Sequence, residues 1–448
     1  IEIQPTLIGY KKVFMIDENE RKDIVKNIIE NNYLKFKNQA TLSKWLADYY
    51  TLGVIPHDHN FKLFIKLYSH FMKKSGLLDF DMVEYFVKKV IASGNIVFKH
   101  VIIDEYQDTS IIEKQIVDLI NPPNIFIVGD VFQNIYAFRG TTIENIVNFK
   151  ADEEIGMSDT FRCPIPVTDF ANSIIDLSSL NYPYRLVSKK RGAVVDIINS
   201  SNFFVDLKVV IDKYLKIFSP DDFYILTRTN QQVADIKAIL EDYPVEDVKG
   251  ALWRSQPMSQ FSAFLRMSIN LYHNYGVERF VRAMKLSTNV EINLWKVEAR
   301  RQKTKLLDIV KRENSLMIQY ELLAKRDISL TEKAQGLLGG ERYDNLNEIY
   351  ELIQTYEDAH GSDPIKFINW LLSNSAQDNI TNKKKIKVMT MHVAKGLENK
   401  VIILPFIEDG IFPNARAPIE EELRLMYVAA TRAEKKLIII KTGESIFA

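Results

Sequence analysis

The chain has 448 residues, of which 46% are hydrophobic and 26% are charged, and this ordinary globular balance excludes a collagen-like, mucin-like or wholly disordered protein. At roughly 150 residues per domain, the length predicts about three compact units. The 58 basic and 58 acidic side chains give a formal net charge of +0, so no overall field attracts the protein to nucleic acid or anionic lipid, and a polyanion would have to bind at a local patch.

Cysteine content and hydropathy predict the compartment. The single cysteine, Cys163, cannot form a disulfide within the chain, which fits a reducing cytoplasm. No apolar run approaches the ~18 residues of a membrane span, and no basic-then-apolar signal pattern is present. We therefore expect a cytoplasmic protein without a membrane partner.

The first hundred residues are predicted to be mostly helical. Apolar residues recur there at spacings of three and four, the period of an amphipathic helix, over residues 17–33, 42–50, 61–74 and 80–92.

Two α/β regions follow the first helices. Residues 101–103 and 125–128 are short, fully apolar runs separated by a helical pattern over 110–120, which predicts buried parallel strands. Four more strand-like runs lie at residues 224–226, 387–391, 401–404 and 437–440. A helical block between about 277 and 381 separates the first of these four from the others, and this arrangement indicates an inserted subdomain.

Acidic residues follow the first two predicted strands. Open parallel sheets usually have their active or ligand-binding sites just beyond the carboxyl ends of the strands. After residues 101–103 come Asp104 and Glu105. A carboxylate at a strand end can hold hydrated Mg²⁺, and its neighbour can orient or deprotonate a water molecule. Paired acids of this kind are also common as helix N-caps, and these residues alone leave both interpretations open.

The segment after the second strand combines a turn with aromatic residues. Gly129 permits a sharp turn, and the amide of Gln133 could sense a phosphate or water. Tyr136 and Phe138 with Arg139 form a cluster of the kind that stacks on unpaired bases. Core packing of both rings is the alternative interpretation.

Five segments together resemble the UvrD/Rep/PcrA group of superfamily 1 helicases, in kind and in order. They are VIIDEYQD (101–108), IVGDVFQNIYAFRG (127–140), DTFRC (159–163), VMTMHVAKGLE (388–398) and EELRLMYVAATRA (421–433). FMIDE (14–18) and GLLDF (76–80) also resemble that family. The resemblance thus covers nearly the whole chain.

The resemblance implies roles in ATP hydrolysis. It implies Asp104 as the acid in the Mg²⁺ shell, Glu105 as the residue that activates water, and Gln133 as the γ-phosphate sensor. Arg162 and Arg432 match the two arginines that stabilise charge developing on the γ-phosphate.

The same resemblance implies contacts to nucleotide and DNA. The implied nucleotide contacts are Phe161 on the adenine, and Gly396 and Glu398 at the ribose. The implied contacts to single-stranded DNA are Tyr136, Phe138, Thr390 and His392, with Arg139 beside the two rings.

The fold implied by the resemblance is α/β, with two RecA-like parallel-sheet core domains, each carrying a helical insertion, and ATP bound between the cores. The predicted segments are 1–16 (start of the first core, 1A), 17–75 (insertion 1B), 76–157 (1A), 158–276 (second core, 2A), 277–382 (insertion 2B) and 383–448 (2A). The implied activity is ATP-dependent 3′-5′ translocation on single-stranded DNA with unwinding of duplex. A motor subunit of a nuclease, repair or antiviral-defence complex is an alternative.

One part of the family pattern is missing from this sequence. The family binds ATP phosphates on a glycine-rich loop ending in Gly-Lys-Thr/Ser, and no Gly-Lys pair occurs in the 448 residues. We expect that the loop lies on a segment before Ile1. A degenerate homologue that binds DNA without hydrolysing ATP is the competing explanation. The functional residue types at Glu105, Arg162 and Arg432 argue against degeneration.

Overall fold

A computed structural model describes residues 13–94, 97–137, 140–180, 183–192, 194–247, 255–271, 274–340, 343, 346–373 and 384–447. The strands of this part of the chain are β1 (Phe14–Met15), β2 (Leu77–Leu78), β3 (His100–Ile103), β4 (Asn124–Ile127), β5 (Asp159–Thr160), β6 (Val187–Ser188), β7 (Val194–Asn199), β8 (Phe223–Thr227), β9 (Val245–Asp247), β10 (Ile386–Thr390), β11 (Asn399–Ile407) and β12 (Ala433–Lys441).

The α-helices of the described residues alternate with these strands and also form two longer runs. They are α1 (Glu18–Asn31), α2 (Gln39–Leu52), α3 (His59–Ser75), α4 (Phe80–Ala92), α5 (Ile111–Ile120), α6 (Glu144–Val147), α7 (Ile165–Ile175), α8 (Phe203–Leu215), α9 (Asn230–Ile239), α10 (Gln256–Ile269), α11 (Asn274–Ala283), α12 (Asn289–Arg301), α13 (Leu306–Glu313), α14 (Leu316–Lys325), α15 (Leu330–Leu338), α16 (Leu346–His360), α17 (Pro364–Ser373) and α18 (Ile419–Ala430).

The chain divides into two compact units. The first unit comprises Ile1–Ile96 and Gly250–Asn379, and the second comprises Val97–Lys249 and Ile380–Ala448. These units group the chain more coarsely than the predicted core and insertion segments, whose boundaries stay a prediction.

The first unit is helical, and local sequence signals start and end its helices. Asp17 caps α1 in a capping box with Glu20, which satisfies amide donors that the first turn leaves without partners. Helix α3 buries apolar residues at spacings of three and four, and it ends at Gly76 with φ 65°, a left-handed conformation that suits glycine. The four predicted helices before residue 93 are confirmed.

The second unit contains a six-stranded sheet in the order β7-β12-β11-β8-β10-β9. Every pairing in it is parallel. Helices α7 and α18 contribute to the core on one face, and α8 and α9 contribute to the core on the other face. Burial on both faces explains the near-continuous apolar runs of its central strands. The four predicted strands lie in β8, β10, β11 and β12, so the α/β class with parallel sheets is confirmed.

Strands β3 and β4 form a separate two-stranded parallel sheet. The predicted pairing is correct, but the prediction that these strands are fully buried is wrong. Ile102 and Phe126 are cross-strand neighbours and are 76% and 60% exposed. Burial alternates along each strand, because one face of this small sheet has no covering layer within the described chain.

Within the described residues, no helix is both long enough and apolar enough to cross a membrane.

Candidate functional site

The candidate site starts where β3 and β4 end in the second unit. The strand pairing continues past both strands, since the Val128 amide donates to the Ile103 carbonyl at 2.9 Å and the Tyr106 amide donates to the Val128 carbonyl at 2.9 Å. Asp104 and Glu105 follow directly and are exposed. Glu105 has φ 52°, an uncommon conformation for a residue with a side chain, which costs about 1–3 kcal/mol and is often found at functional sites.

Asp130 organises the segment after β4. Its carboxylate accepts hydrogen bonds from the Phe132 amide at 2.9 Å, the Gln133 side chain at 3.0 Å and the Tyr427 hydroxyl at 3.1 Å. Burial, followed by the charge of Asp130, raises the pKa of Tyr427 well above its ordinary value. The Tyr427 hydroxyl therefore remains a donor that ties α18 to the predicted phosphate sensor, Gln133.

The two strand ends are also joined by Gln107, which follows Glu105 in the same turn. Its amide nitrogen donates to the Glu105 carboxylate at 2.5 Å, and its amide oxygen accepts the Asp130 backbone N–H at 3.0 Å. Asn134 in turn donates to the Gln107 carbonyl. A continuous hydrogen-bonded chain thus runs from Glu105 to Asp130.

Lys395 connects the loop after β10 to both acidic segments. Its ammonium forms an ion pair with Asp108, donates to the Gln133 carbonyl at 2.7 Å and lies 5.0 Å from the centre of the Tyr136 ring. A buried lysine of this kind needs such partners, because desolvation of its charge is otherwise costly.

The predicted DNA contacts lie beside Lys395. The Tyr136 hydroxyl donates to the His392 carbonyl at 3.3 Å. Thr390 ends β10, and both Thr390 and His392 are half-buried. The structure therefore brings Tyr136, Thr390 and His392 to one region. Phe138 and Arg139 lie outside the described residues.

The predicted nucleotide contacts of the second core are also close together. Arg162 and Glu398 form an ion pair between side chains that are each partly exposed. Phe161, next to Arg162, is 90% exposed, so its ring face is available to a planar partner. Gly396 has φ 83°, a conformation that favours glycine.

Arg432 lies deeper than Arg162. Its guanidinium donates to the Val428 carbonyl at 2.8 Å, the Leu397 carbonyl at 3.3 Å and the Thr431 hydroxyl at 3.1 Å. Burial, reinforced by the nearby Arg162 charge, lowers the pKa of Arg432 to about 10. Arg432 is thus a buried cation rather than the surface charge that an arginine on an amphipathic helix usually provides.

The sequence analysis assigned no individual role to several residues that the structure brings into the site, among them Gln107, Asp130, Lys395, Arg424 and Tyr427. Arg424 on α18 donates to the Asn134 carbonyl at 2.8 Å. All of them lie inside the motif segments that carry the resemblance, and membership of these segments is the signal that could have identified them.

The residues at the end of β3 fit a magnesium ion carried on nucleotide phosphates. Within the described ranges, no group of three or more His, Cys, Asp or Glu side chains could hold a metal ion by itself. Mg²⁺ in phosphoryl-transfer sites usually takes only one or two carboxylates and completes its shell with phosphate and water. The exposed Asp104 carboxylate can serve as such a ligand.

Comparisons with known proteins identify the family to which these segments are similar. The family model described as the UvrD/REP helicase N-terminal domain matches residues 6–154, and the UvrD-like helicase C-terminal domain matches residues 285–444.

Among individual relatives, a "Probable DNA helicase II homolog" of Mycoplasma capricolum is 22% identical over 505 aligned positions, covering 96% of this chain and 70% of the relative. DNA helicase II of Haemophilus influenzae is 26% identical, covering 86% of this chain and 62% of the relative. ATP-dependent DNA helicase PcrA of Staphylococcus aureus is 24% identical, covering 96% and 70%.

Proposed function

The chain belongs to the UvrD/Rep/PcrA-like family of superfamily 1 helicases, and we propose that it is the motor of an ATP-dependent DNA helicase that moves 3′-5′ on single-stranded DNA and unwinds duplex. The observation that carries this proposal is the arrangement of the second unit. It connects Glu105 and Gln133 to α18 through Asp130, and Gln133 to the predicted DNA contacts through Lys395.

The proposed reaction is attack of water on the γ-phosphorus of ATP, with cleavage of the bond to the β,γ-bridging oxygen. Glu105 accepts the proton of the attacking water. Gln133 orients that water or the γ-phosphate, and the charges of Arg162 and Arg432 stabilise the transition state. Mg²⁺ with ATP, held at Asp104, would neutralise phosphate charge.

In the absence of ATP, the Arg162 and Glu398 side chains pair with each other. In the proposed complex the Glu398 carboxylate accepts a ribose hydroxyl, and Arg162 pairs with the more highly charged γ-phosphate. Phe161 stacks on the adenine, a role that its exposed ring supports.

The proposed DNA path is local, because the chain has no net charge. Bases stack at Tyr136, and Thr390 and His392 contact the strand. Lys395 contacts both the Tyr136 ring and the Gln133 carbonyl, so movement of the Gln133 segment on hydrolysis shifts the DNA-contacting ring.

Hydrolysis at this site also requires backbone that binds the β- and γ-phosphates. The 448 residues contain no Gly-Lys pair, so the proposal requires a phosphate loop from outside this sequence, either on the same gene product or on a second chain.

DNA-stimulated ATP hydrolysis and strand displacement by the full gene product test the proposal. Glu105→Gln should lower kcat by about 100-fold or more, since a general base contributes that much. Asp118→Asn is the matched control, because Asp118 is an exposed carboxylate of α5 that pairs with Lys114.

Absence of DNA-stimulated hydrolysis in the unmodified protein would refute the enzyme proposal and support a DNA-binding homologue without ATPase activity. Hydrolysis without unwinding by the isolated chain, together with a co-purifying nuclease, would support the motor-subunit alternative.

A further inference from the structure

Gln107 stands between the two acidic segments of the candidate site. We infer that it is a positioning residue, whose buried amide fixes the Glu105 carboxylate relative to Asp130 and hence to Gln133. This inference rests on the proposed function, because it concerns the geometry of the base that would activate water.

The first argument is the burial and use of the Gln107 amide. The residue is 0% exposed, so its polar atoms must find partners within the protein. The nitrogen donates to Glu105 at 2.5 Å and the oxygen accepts from the Asp130 amide at 3.0 Å. Bonds from a neutral amide to a carboxylate are among the stronger hydrogen bonds in proteins.

The second argument is the space reserved for this amide. A Cβ atom at Gly129 would lie 2.5 Å from the Gln107 Oε1 atom and 2.8 Å from the Ile146 Cδ1 atom, and both distances are too short. Glycine at position 129 therefore allows the strand end to pack directly against the Gln107 side chain.

The third argument is the conformation of Glu105. Its φ of 52° is unfavourable for a residue with a side chain and needs compensating interactions. The Glu105 amide donates to Asp104 at 2.9 Å, and Gln107 holds the carboxylate end. A general base must be held within about 0.5 Å of its productive position, and Gln107 supplies this restraint on the side chain.

The hydrogen-bonded chain also fixes the position of Glu105 relative to Gln133. The Asp130 carboxylate that binds Gln133 belongs to the residue whose amide binds Gln107. Loss of the Gln107 amide would thus separate the base from the phosphate sensor without removing either one.

Two variants test the inference by different routes. Gln107→Met removes both polar atoms at similar size, and Gly129→Ala displaces the amide without removing it. Asn145→Leu is the control, because Asn145 is also buried and donates to the Thr109 carbonyl at 2.8 Å, so this variant removes a buried amide that binds a backbone carbonyl rather than Glu105.

The first measurement is hydrogen exchange of the Asp130 amide in the protein without ATP. We expect exchange at least about tenfold faster in Gln107→Met and Gly129→Ala than in the control, because this amide loses its acceptor. Unchanged exchange in both variants would overturn the inference.

The second measurement is DNA-stimulated ATP hydrolysis by the full gene product, with the Kd for ATP measured separately. We expect kcat to fall about 10- to 100-fold at an unchanged Kd, the effect of losing one hydrogen bond to a charged group. A kcat no lower than that of Asn145→Leu would show that Gln107 is only structural. An inactive unmodified protein would instead refute the proposed function, while the exchange measurement would still test the contact.

Discussion

The ion pair between the partly buried Arg228 and the buried Glu422 should make a large contribution to the stability of the second unit. Arg228, directly after β8, donates to Glu422 on α18 through Nε at 3.0 Å and through Nη2 at 2.9 Å, and the Asn414 amide donates to the other carboxylate oxygen at 2.8 Å. Glu422 is 1% exposed. Its charge therefore depends on Arg228 for compensation.

Arg228→Met removes the cation and leaves the carboxylate in the protein interior. The gross attraction at these distances is roughly 5 kcal/mol at the effective dielectric of a partly buried pair. Part of it is offset by desolvation, but an uncompensated buried charge typically costs about 3–5 kcal/mol. We therefore expect the free energy of unfolding of the second unit to fall by about 3 kcal/mol or more.

Arg228→Met combined with Glu422→Gln should recover most of this loss. The glutamine keeps an acceptor for the Asn414 amide and carries no charge that requires a partner. Recovery in the double variant distinguishes loss of charge compensation from loss of packing, because packing losses would add.

The tryptophans provide an internal control for the assay. Trp45, Trp295 and Trp370 lie in α2, α12 and α17 of the first unit, and Trp253 lies outside the described residues. Calorimetry should show a lowered transition for the second unit, and the denaturation midpoint from tryptophan emission reports on the first unit. A loss below about 1 kcal/mol in Arg228→Met, or a double variant as unstable as the single one, would refute the reasoning.

Two further predictions use the same two measurements, tryptophan emission for Glu20 in the first unit and calorimetry for Cys163 in the second unit. Glu20→Gln should lower the tryptophan-reported midpoint, because Glu20 is buried and pairs with Arg266 at 3.2 Å and Arg279 at 2.7 Å. The variant would leave the buried Arg266 and the half-buried Arg279 without this carboxylate, and an unchanged midpoint would contradict the reasoning. Burial raises the pKa of the Cys163 thiol above its ordinary value, so the unfolded chain releases this proton first, and the free energy of unfolding falls as the pH rises above that ordinary value. Cys163→Ala should reduce this slope near pH 9, and an identical slope would count against the burial effect.

Much of the fold could be predicted from the sequence because its signals are local. Helix α3 combines a 3.6-residue apolar period with an N-cap at Asp58 and a terminating Gly76, and each signal acts within one turn. The exposure of Ile102 and Phe126 could not be predicted, because an apolar strand does not indicate whether a covering layer is present on each face.

In the candidate site, the types of several residues could be predicted from the sequence, but their hydrogen-bond partners could not. Asp104, Glu105 and Gln133 were identified because their spacing from the apolar strands is a local feature. The Asp130 carboxylate that binds Gln133 also accepts a hydrogen bond from Tyr427 on α18, with a sequence separation of 297. Gln107 has a polar side chain in a turn, where solvent exposure is the ordinary expectation. Only the approach of Gly129 to its amide shows that this glutamine is enclosed. Its positioning role thus depends on tertiary packing, and no spacing within the motif specifies it.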